Sequence, residues 1–347
     1  MIKAQSTYTL TIVGSKEETI DTKSFTFKQP KFRKIKYFAG QFITVIVIIG
    51  GRKFYRPYSL SSAPNVDKEL QITVKRVQGG IVSNYINDNL KVGDVLEVME
   101  PSGEFYFRNT TLVNNIYLWG AGSGITPLFS IAKEILNNNQ DISINLIFVN
   151  KNFDTVIFKD AIELLKTEYP DKFKVTKFYT QLEINNRIDS VYYGRINSNG
   201  IEQILLENNN IFFSQHFICG PSGFSENILN SLIFSNIPKD AIFIESFETS
   251  IDPSDFENLE DKTIKIIMEN IEFDIFVKKG KSILEAALDF GLDIPYSCQT
   301  GICNTCVGKL KNGSVKMIGI KNAINHENEY LLCRCFPLEG NIEILLE

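Results

Sequence analysis

Residues 298–306 read CQTGICNTC and place Cys298, Cys303 and Cys306 in the spacing C-x4-C-x2-C. Five of the six cysteines of the chain lie between residues 298 and 335. The N-terminal residues contain no apolar core like that of a secretory signal, so the expected location is the cytoplasm. Because the cytoplasm is reducing, a disulfide framework explains the crowded thiols poorly, and a metal centre is predicted instead.

The spacing of these cysteines favours a 2Fe-2S cluster over a zinc ion. Plant-type ferredoxins use C-x4-C-x2-C and a fourth, distant cysteine to place four thiolates around such a cluster. A loop wrapped around an inorganic core has to approach it closely, and Gly301 permits this because it has no Cβ. Zinc sites usually pair two C-x2-4-C units, whereas here a C-x4 arm precedes a single C-x2-C. A zinc-binding module and an incidental group of buried thiols are the weaker alternatives.

Two cysteines compete for the fourth position, Cys333 and Cys335, just before Pro337. In the ferredoxin pattern the last ligand stands four residues before a proline, so the resemblance selects Cys333. Cys335 is then expected to be a buried free thiol. The cluster ligands implied in this way are Cys298, Cys303, Cys306 and Cys333.

Composition excludes several classes of function. The formal net charge is -5 and no cluster of Lys and Arg is visible, which argues against a nucleic-acid partner. The longest apolar run, from Phe42 to Ile49, is far shorter than the roughly 18 residues that cross a bilayer, so no membrane span is expected. The two histidines, His216 and His326, are isolated, which makes a His triad or a multi-His metal centre improbable.

The chain of 347 residues is too long for one domain of roughly 150 residues, and its texture changes along the sequence. Residues 1–110 contain short alternating β-rich runs separated by turns, which predicts an antiparallel Greek-key β-barrel. Residues 111–247 alternate apolar runs with amphipathic segments, which predicts a doubly wound parallel α/β sheet. Residues 248–262 form an acidic, aperiodic linker. Residues 263–347 contain a hairpin, a short helix and the cysteine loop, and their resemblance to plant-type ferredoxins implies an α+β domain with the β-grasp fold.

The barrel region carries a flavin signature. The residues Arg56-Pro57-Tyr58-Ser59 resemble the R-x-Y-S motif with which the ferredoxin-NADP reductase superfamily binds FAD or FMN. Arginine suits a phosphate, tyrosine stacks on the isoalloxazine ring, and serine can hydrogen-bond near its reactive N5. Residues 79–84 resemble a second element of that superfamily, in which amides at a helix N-terminus hold a pyrophosphate, and this favours FAD. The residues that the resemblance assigns to FAD are Arg56, Pro57, Tyr58, Ser59, Val74, Lys75, Gly80, Ile81, Val82 and Ser83.

Two glycine turns resemble the nucleotide-binding elements of the same superfamily. Residues 120–127 are similar to its GxGxTP element and residues 219–221 to its CGP element. Each turn follows a predicted parallel strand, so both open at the carboxyl edge of the sheet, where nucleotides bind in such folds. The residues that the resemblance assigns to the nicotinamide nucleotide are Gly122, Gly124, Thr126, Pro127, Cys219, Gly220 and Pro221.

The same resemblance implies four catalytic positions. Thr126 and Cys219 flank the nicotinamide ring, Ser59 lies near flavin N5, and Phe247 covers the flavin until the nicotinamide displaces it. Core packing is the alternative for Cys219 and Phe247. The choice between NADH and NADPH is open, because Lys151 supports NADPH and the uncharged Gln181 supports NADH.

Motifs in all three regions make the whole chain resemble the oxygenase-reductase branch of this superfamily, in the form with a C-terminal ferredoxin domain. The resemblance implies that FAD takes hydride from NADH or NADPH and that electrons pass singly through a 2Fe-2S cluster to an acceptor protein. The implied acceptor is an oxygenase component, with a desaturase or a hybrid cluster protein as alternatives. From a different class, the alternative is an electron carrier that does not oxidise nucleotides. The scarcity of histidine agrees with a reaction that needs no general base.

Overall fold

The computed structural model describes residues 6–30, 34–108, 113–138, 141–181, 191–206, 213–247, 253–301, 303–320 and 328–346. The chain divides into two compact units. One unit comprises residues 1–7, 46–57 and 247–347, and the other comprises residues 8–45 and 58–246. Within the described ranges, no helix combines the length and apolar character that crossing a membrane requires.

The N-terminal region forms a six-stranded sheet in the order β4-β3-β6-β1-β2-β5. Its strands are β1 (Thr7–Thr19), β2 (Thr22–Phe27), β3 (Phe42–Ile49), β4 (Arg52–Ser59), β5 (Leu70–Lys75) and β6 (Val95–Met99). Strand β2 pairs antiparallel with both β1 and β5. In β3 six consecutive residues are buried, because both of its faces are covered. This sheet confirms the antiparallel barrel-type domain that the alternating pattern predicts.

A short helix follows β5 in this region, α1 (Ile81–Asn89). Val82 and Ile86 are buried, at the four-residue spacing that predicts one apolar helix face. The helix begins after Gly80, which provides no side-chain cap, and no acidic residue lies in its first turn. The first amides of α1 therefore have neither a capping side chain nor a neighbouring carboxylate.

The middle of the chain forms a parallel sheet in the order β10-β9-β8-β7-β11-β12. Its strands are β7 (Asn115–Ala121), β8 (Ser143–Asn150), β9 (Phe173–Tyr179), β10 (Val191–Tyr193), β11 (Ser214–Cys219) and β12 (Ile242–Glu245), and its helices are α2 (Ile125–Asn137), α3 (Lys159–Glu168), α4 (Ser198–Leu206) and α5 (Ser222–Phe234). The strand order reverses between β7 and β11. Ligands bind at such a switch point in doubly wound folds, and both glycine turns follow the two strands that form it.

The one described histidine is part of the core of this sheet. His216 lies on β11 and stacks on Tyr117 with ring centroids 4.7 Å apart. The indole N–H of Trp119 donates to its Nδ1 at 3.2 Å, and the hydroxyl of Ser214 lies 2.9 Å from its Nε2. Burial lowers the pKa of His216 to about 3, so the ring is neutral. His216 therefore packs within the sheet as a neutral, hydrogen-bonded ring.

The C-terminal region forms a five-stranded sheet in the order β14-β13-β17-β15-β16. Its elements are β13 (Lys262–Met268), β14 (Ile271–Val277), α6 (Ile283–Phe290), β15 (Val307–Met317), β16 (Glu329–Leu331) and β17 (Cys335–Leu346). β13 and β17 run parallel and the other pairs antiparallel, which gives the mixed sheet of the predicted α+β domain. Helix α6 begins at a capping box of Ser282 and Glu285 and ends at Gly291 with φ 104°.

Part of the predicted acidic linker is packed. Phe256 and Leu259 join Phe336 in an apolar cluster, and the rings of Phe256 and Phe336 meet edge to face at 5.3 Å. Lys316 Nζ donates to the carbonyl of Asp255 at 2.6 Å. The apolar contacts and this hydrogen bond together hold residues 255–259 against the C-terminal sheet. The domain boundaries drawn from the sequence remain predictions.

Candidate functional site

The four predicted cluster cysteines lie in two pairs. The backbone N–H of Cys298 donates to Sγ of Cys303 at 3.4 Å. A hydrogen bond with the Cys298 thiol, followed by burial, raises the pKa of Cys303. Likewise, a hydrogen bond with the Cys333 thiol, followed by burial, raises the pKa of Cys306. The N–H of Thr300 donates to Sγ of Cys298 at 3.4 Å, so amides of the loop already face sulfur.

This pairing fits a two-iron cluster. In the described ranges, no three His, Cys, Asp or Glu side chains are grouped as the ligands of a single metal ion are. A 2Fe-2S cluster instead takes two protein ligands on each of its two irons, and cysteine thiolates are its usual donors. Iron binding requires these thiols to lose their protons, so the positive charge of the irons has to outweigh the repulsion between paired thiolates.

The structure separates the two candidates for the fourth ligand. Cys333 lies in a single 3-10 turn at residues 332–334 and meets Cys306. Cys335 is the first residue of β17, opposite Met317, and is fully buried. Burial raises the pKa of the Cys335 thiol. The position of Cys333 therefore agrees with the ferredoxin resemblance.

Gly301 makes the close turn of the cysteine loop possible. Its φ is +83°, in the left-handed region that disfavours side chains. A Cβ at this position would stand 2.8 Å from Cδ1 of Ile320 and 3.2 Å from Cγ of Arg334. Two neighbouring side chains thus occupy the space that any other residue would need.

The first flavin motif forms the end of β4. The Arg56 Nη1 donates to the carbonyl of Tyr55 at 2.8 Å, and Pro57 and Tyr58 continue the strand to Ser59. Ser59 is buried at 4% exposure. The motif is therefore displayed on a strand, which holds its alternating side chains in fixed directions.

The second flavin element surrounds the start of α1. Val74 is buried near the end of β5 and Lys75 closes that strand. The hydroxyl of Ser83 accepts the N–H of Val77 at 3.1 Å and shapes the turn before the helix. Gly80, Ile81 and Val82 follow one another into the first turn, where the uncapped amides can receive an anion. Lys75 also lies close to the glycine turn after β7, because its Nζ is 4.0 Å from the position that a Cβ on Gly122 would occupy.

The two glycine turns touch through their backbones. A Cβ on Gly124 would stand only 2.0 Å from the carbonyl oxygen of Cys219, so glycine is required where the turns meet. A Cβ on Gly220 would meet the Phe224 ring at 2.7 Å and Cβ of Ala121 at 3.0 Å. The two elements that the sequence places 95 residues apart (124 to 219) therefore form one edge of the sheet.

The other predicted nucleotide residues surround this contact. Gly122 opens the 3-10 turn after β7 with φ +55°. Thr126 is buried and its hydroxyl donates to the carbonyl of Ser123 at 2.9 Å. Pro127 is buried in the first turn of α2, and Pro221 immediately precedes α5. Both helices therefore start at the carboxyl edge, where their N-termini favour anionic phosphates.

Glu245 is a site residue to which the sequence motifs assign no role, although it belongs to the segment Glu245-Ser246-Phe247 whose phenylalanine the resemblance places over the flavin. It ends β12 opposite Cys219 in the strand register, and Ser59 Oγ lies 3.5 Å from its Oε2. Burial raises the pKa of Glu245 to about 8, although the Ser59 hydroxyl opposes the shift. Burial, with Glu245 adding to it, also raises the pKa of the Cys219 thiol. A lone acid at the end of an apolar strand was the available sequence signal.

Three further residues that the sequence singles out are Phe247, Lys151 and Gln181. Phe247 stands two residues beyond β12 and is 47% exposed, and its role remains a prediction. Gln181 N–H donates to the carbonyl of Lys151 at 2.9 Å, so the two residues that bear on nucleotide choice are neighbours at the ends of β8 and β9.

Comparison with known families divides the chain in the same order. An oxidoreductase FAD-binding domain matches residues 9–107, an oxidoreductase NAD-binding domain matches residues 118–229, and a 2Fe-2S iron-sulfur cluster binding domain matches residues 267–338.

Relatives of the chain match it over nearly its whole length. The ferredoxin reductase component of 3-ketosteroid-9-alpha-monooxygenase from Mycolicibacterium smegmatis is 30% identical over 94% of both chains. A component of the 1,2-phenylacetyl-CoA epoxidase from Escherichia coli is 28% identical over 97% of both. Among solved structures, phthalate dioxygenase reductase shares the fold with a TM-score of 0.67 and 20% identity over 98% of both chains.

Proposed function

This chain belongs to the ferredoxin reductase components of oxygenase systems, and on that premise we propose how its own residues divide the work. It is an NAD(P)H-dependent oxidoreductase with FAD-binding, NAD-binding and 2Fe-2S domains. When bound, FAD and the cluster supply the exchange between hydride and single electrons. The protein supplies the position, the charge and the exclusion of water around them.

We assign the nucleotide to the edge formed by the two glycine turns. Gly124 and Cys219 touch through their backbones, which brings the N-termini of α2 and α5 to the same edge. Those N-termini attract the nucleotide phosphates, and the absence of side chains allows the backbone to approach. Thr126, held by the carbonyl of Ser123, and the uncharged Cys219 thiol border the position assigned to the nicotinamide.

We assign FAD to the β4 motif and to the start of α1. Arg56 and the uncapped amides at residues 81–83 provide positive ends for its phosphates, and Tyr58 provides a ring for its isoalloxazine. Ser59 and Glu245 form the polar part of the site. Burial keeps Glu245 protonated at neutral pH, so the polar part of the site would present an uncharged carboxyl to a bound flavin.

The charge state of Glu245 gives a prediction on pH and stability. Its folded pKa lies above that of an unfolded glutamate, so the folded state binds more protons between pH 4.5 and about 8, and stability falls as pH rises through this range. Glu245→Gln keeps the size and removes the ionisation. The wild-type holoprotein should therefore lose stability relative to the variant as pH rises. Between pH 5 and pH 9 the difference between their unfolding free energies should shift against the wild type by on the order of 3 kcal/mol.

Thermal or denaturant unfolding of both proteins at these two pH values measures the difference. Glu97→Gln serves as a matched control, because Glu97 is exposed on β6 and its substitution should leave the pH dependence unchanged. A wild-type and Glu245→Gln pair whose difference is constant with pH would show that this carboxyl is charged in the folded protein.

We assign the cluster to Cys298, Cys303, Cys306 and Cys333, and the pairing of these thiols is the observation that carries the proposed function. It gives a nicotinamide-dependent flavoprotein a one-electron outlet. Anaerobic addition of NADH or NADPH tests the function. Flavin absorption and the broad iron-sulfur absorption should both decline, and the preferred nucleotide is read from the same titration. A colourless protein, or one that nucleotide does not bleach, would refute it.

Two serine variants test the choice of the fourth ligand. Cys333→Ser should lower the iron and acid-labile sulfide content by at least about tenfold, because it removes a thiolate from the Cys306 pair. Cys335→Ser should retain the cluster, since Cys335 belongs to β17. Iron and sulfide analysis of both purified variants gives the answer. A loaded Cys333→Ser beside an empty Cys335→Ser would reverse the assignment.

We propose that the electron acceptor is an oxygenase component. The similar proteins are named as the reductase parts of a ketosteroid monooxygenase and of a glycine betaine monooxygenase, and as a part of a phenylacetyl-CoA epoxidase. What these systems have in common is an oxygenase. Purified candidate oxygenase components should be reduced by NAD(P)H only when this protein is present, and an acceptor of another class reduced at a higher rate would overturn the proposal.

We also propose a cytoplasmic location. The six cysteines, all within the described ranges, form no disulfide with one another, and the four assigned to the cluster have to be reduced before they can bind iron. Cell fractionation with an antibody against the protein tests this, and a periplasmic or secreted pool would contradict it.

A further inference from the structure

A buried arginine separates the last two cysteines of the sequence. Arg334 lies between Cys333 and Cys335, in the turn at residues 332–334, and is only 6% exposed. Charged side chains are almost never buried to this degree without an electrostatic reason. Its carbonyl accepts the N–H of Ile318 at 3.0 Å, which anchors the turn that carries it.

The side chain runs against the cluster loop. Cγ of Arg334 lies 3.2 Å from the position that a Cβ on Gly301 would occupy. The N–H of Leu332, in the same turn, donates to the carbonyl of Cys306 at 2.8 Å. The arginine is therefore fixed to the loop through its side chain and through the backbone of its own turn.

The electrostatic neighbours of Arg334 are the proposed ligands. Burial lowers the pKa of Arg334, and attraction to the sulfurs of Cys333, Cys298 and Cys306, together with Glu285, opposes this. An arginine remains protonated even so, because its ordinary pKa is far above neutrality. The site thus contains a permanent positive charge close to both thiol pairs.

We propose that Arg334 sets the reduction potential of the 2Fe-2S cluster by stabilising its reduced form. The transfer adds one electron from the flavin and no proton, so the reduced cluster with its four thiolates carries one negative charge more than the oxidised one. A buried cation nearby favours the more negative state, and net charge is among the factors that tune these potentials. Arg334 is a tuning residue, and the inference rests on the proposed cluster function.

The carboxylate that acts on Arg334 belongs to Glu285, and a separate substitution can remove its negative charge. Glu285 closes the capping box of α6, where its Oε2 accepts both the N–H and the hydroxyl of Ser282 at 2.9 Å. Glutamine also serves in a capping box, so Glu285→Gln removes the negative charge and keeps the helix start. Removal of a negative charge should shift the potential in the opposite direction to the loss of Arg334.

The test is a redox titration of the anaerobic holoprotein, in which the electron paramagnetic resonance signal of the reduced cluster is recorded. We expect the midpoint potential to fall in Arg334→Gln, to stay near the wild-type value in Arg334→Lys, and to rise in Glu285→Gln. Lys265→Gln is the control for a simple loss of charge, because this partly exposed lysine on β13 pairs with the exposed Glu272 at the surface. Its potential should equal that of the wild type, as should the flavin potential in all four variants.

Equal potentials in Arg334→Gln and wild type, or equal shifts in Arg334→Gln and Arg334→Lys, would overturn the proposal. If Arg334→Gln does not assemble a cluster, the other two variants decide: a lysine variant that titrates far below the wild type, or a Glu285→Gln potential that does not rise, overturns it. A wild-type protein without the signal of a reduced cluster would instead refute the proposed function, so the two failures are distinguishable.

Discussion

Replacing Cys303 with serine is expected to empty the cluster site while NAD(P)H still reduces the flavin. Cys303 and Cys298 form one of the two thiol pairs, and loss of a thiolate leaves one iron without its proposed ligand set. Electron delivery to a one-electron acceptor protein should fall by at least about 100-fold, since removal of even a supporting neighbour of a metal ligand costs about 10–100-fold. Flavin reduction by nucleotide should change by less than about twofold, because none of the residues assigned to FAD or to the nucleotide is a proposed ligand of the cluster.

Stopped-flow absorbance at flavin wavelengths, together with iron and sulfide analysis, measures both expectations in one preparation. Cys335→Ser provides the matched control, as a cysteine-to-serine change at a buried thiol on β17. A Cys303→Ser protein that loses flavin reduction together with its cluster would contradict the separate organisation of the two halves of the reaction.

Replacing Gly124 with alanine is expected to abolish efficient reduction by NAD(P)H. The added Cβ would stand 2.0 Å from the carbonyl oxygen of Cys219 and 2.9 Å from the backbone nitrogen of Gly220, and backbone atoms cannot rotate away as a flexible side chain can. The two glycine turns must separate, which displaces the nucleotide from the position assigned to it. Misplacement by about 1 Å can cost about 100-fold in rate, and overpacking costs about 1–3 kcal/mol in stability.

The rate of flavin reduction in the stopped-flow instrument and the melting temperature measure these two effects. Gly200→Ala is the matched control, because the nearest atom to a Cβ at this position in α4 lies 3.5 Å away, at an ordinary contact distance. FAD content should remain normal in both variants. Wild-type kinetics in Gly124→Ala would show that the turns do not have to touch during the reaction.

Much of the fold could be predicted because its signals are local. Within residues 111–247, the apolar run at 173–179 predicts a strand and the amphipathic segment at 126–136 predicts a helix. The structure has β9 over the first segment, and α2 includes the second. In both segments the apolar residues recur with the period of the element that forms. The three-residue strand β10 was not predicted, because three residues are too few to show a period.

The second half of the predicted linker shows what composition cannot predict. Its acidic composition hides Phe256 and Leu259, which the structure places in an apolar cluster with Phe336. Composition averages over a window, whereas burial depends on what each side chain meets in space. The assignment of the nucleotide and flavin motifs, in contrast, needed only short contiguous stretches.

The order of the flavin, nucleotide and iron-sulfur motifs, and the three closely spaced cysteines, were determined by the sequence alone, because each is written within a few consecutive residues. Tertiary structure decided which distant groups meet. Only the register of β11 and β12 brings Glu245 opposite Cys219, and only the packing of the turn at residues 332–334 buries Arg334 against Gly301. Burial then determines charge: it keeps the Glu245 carboxyl protonated, and it places the Arg334 cation where solvent cannot screen it.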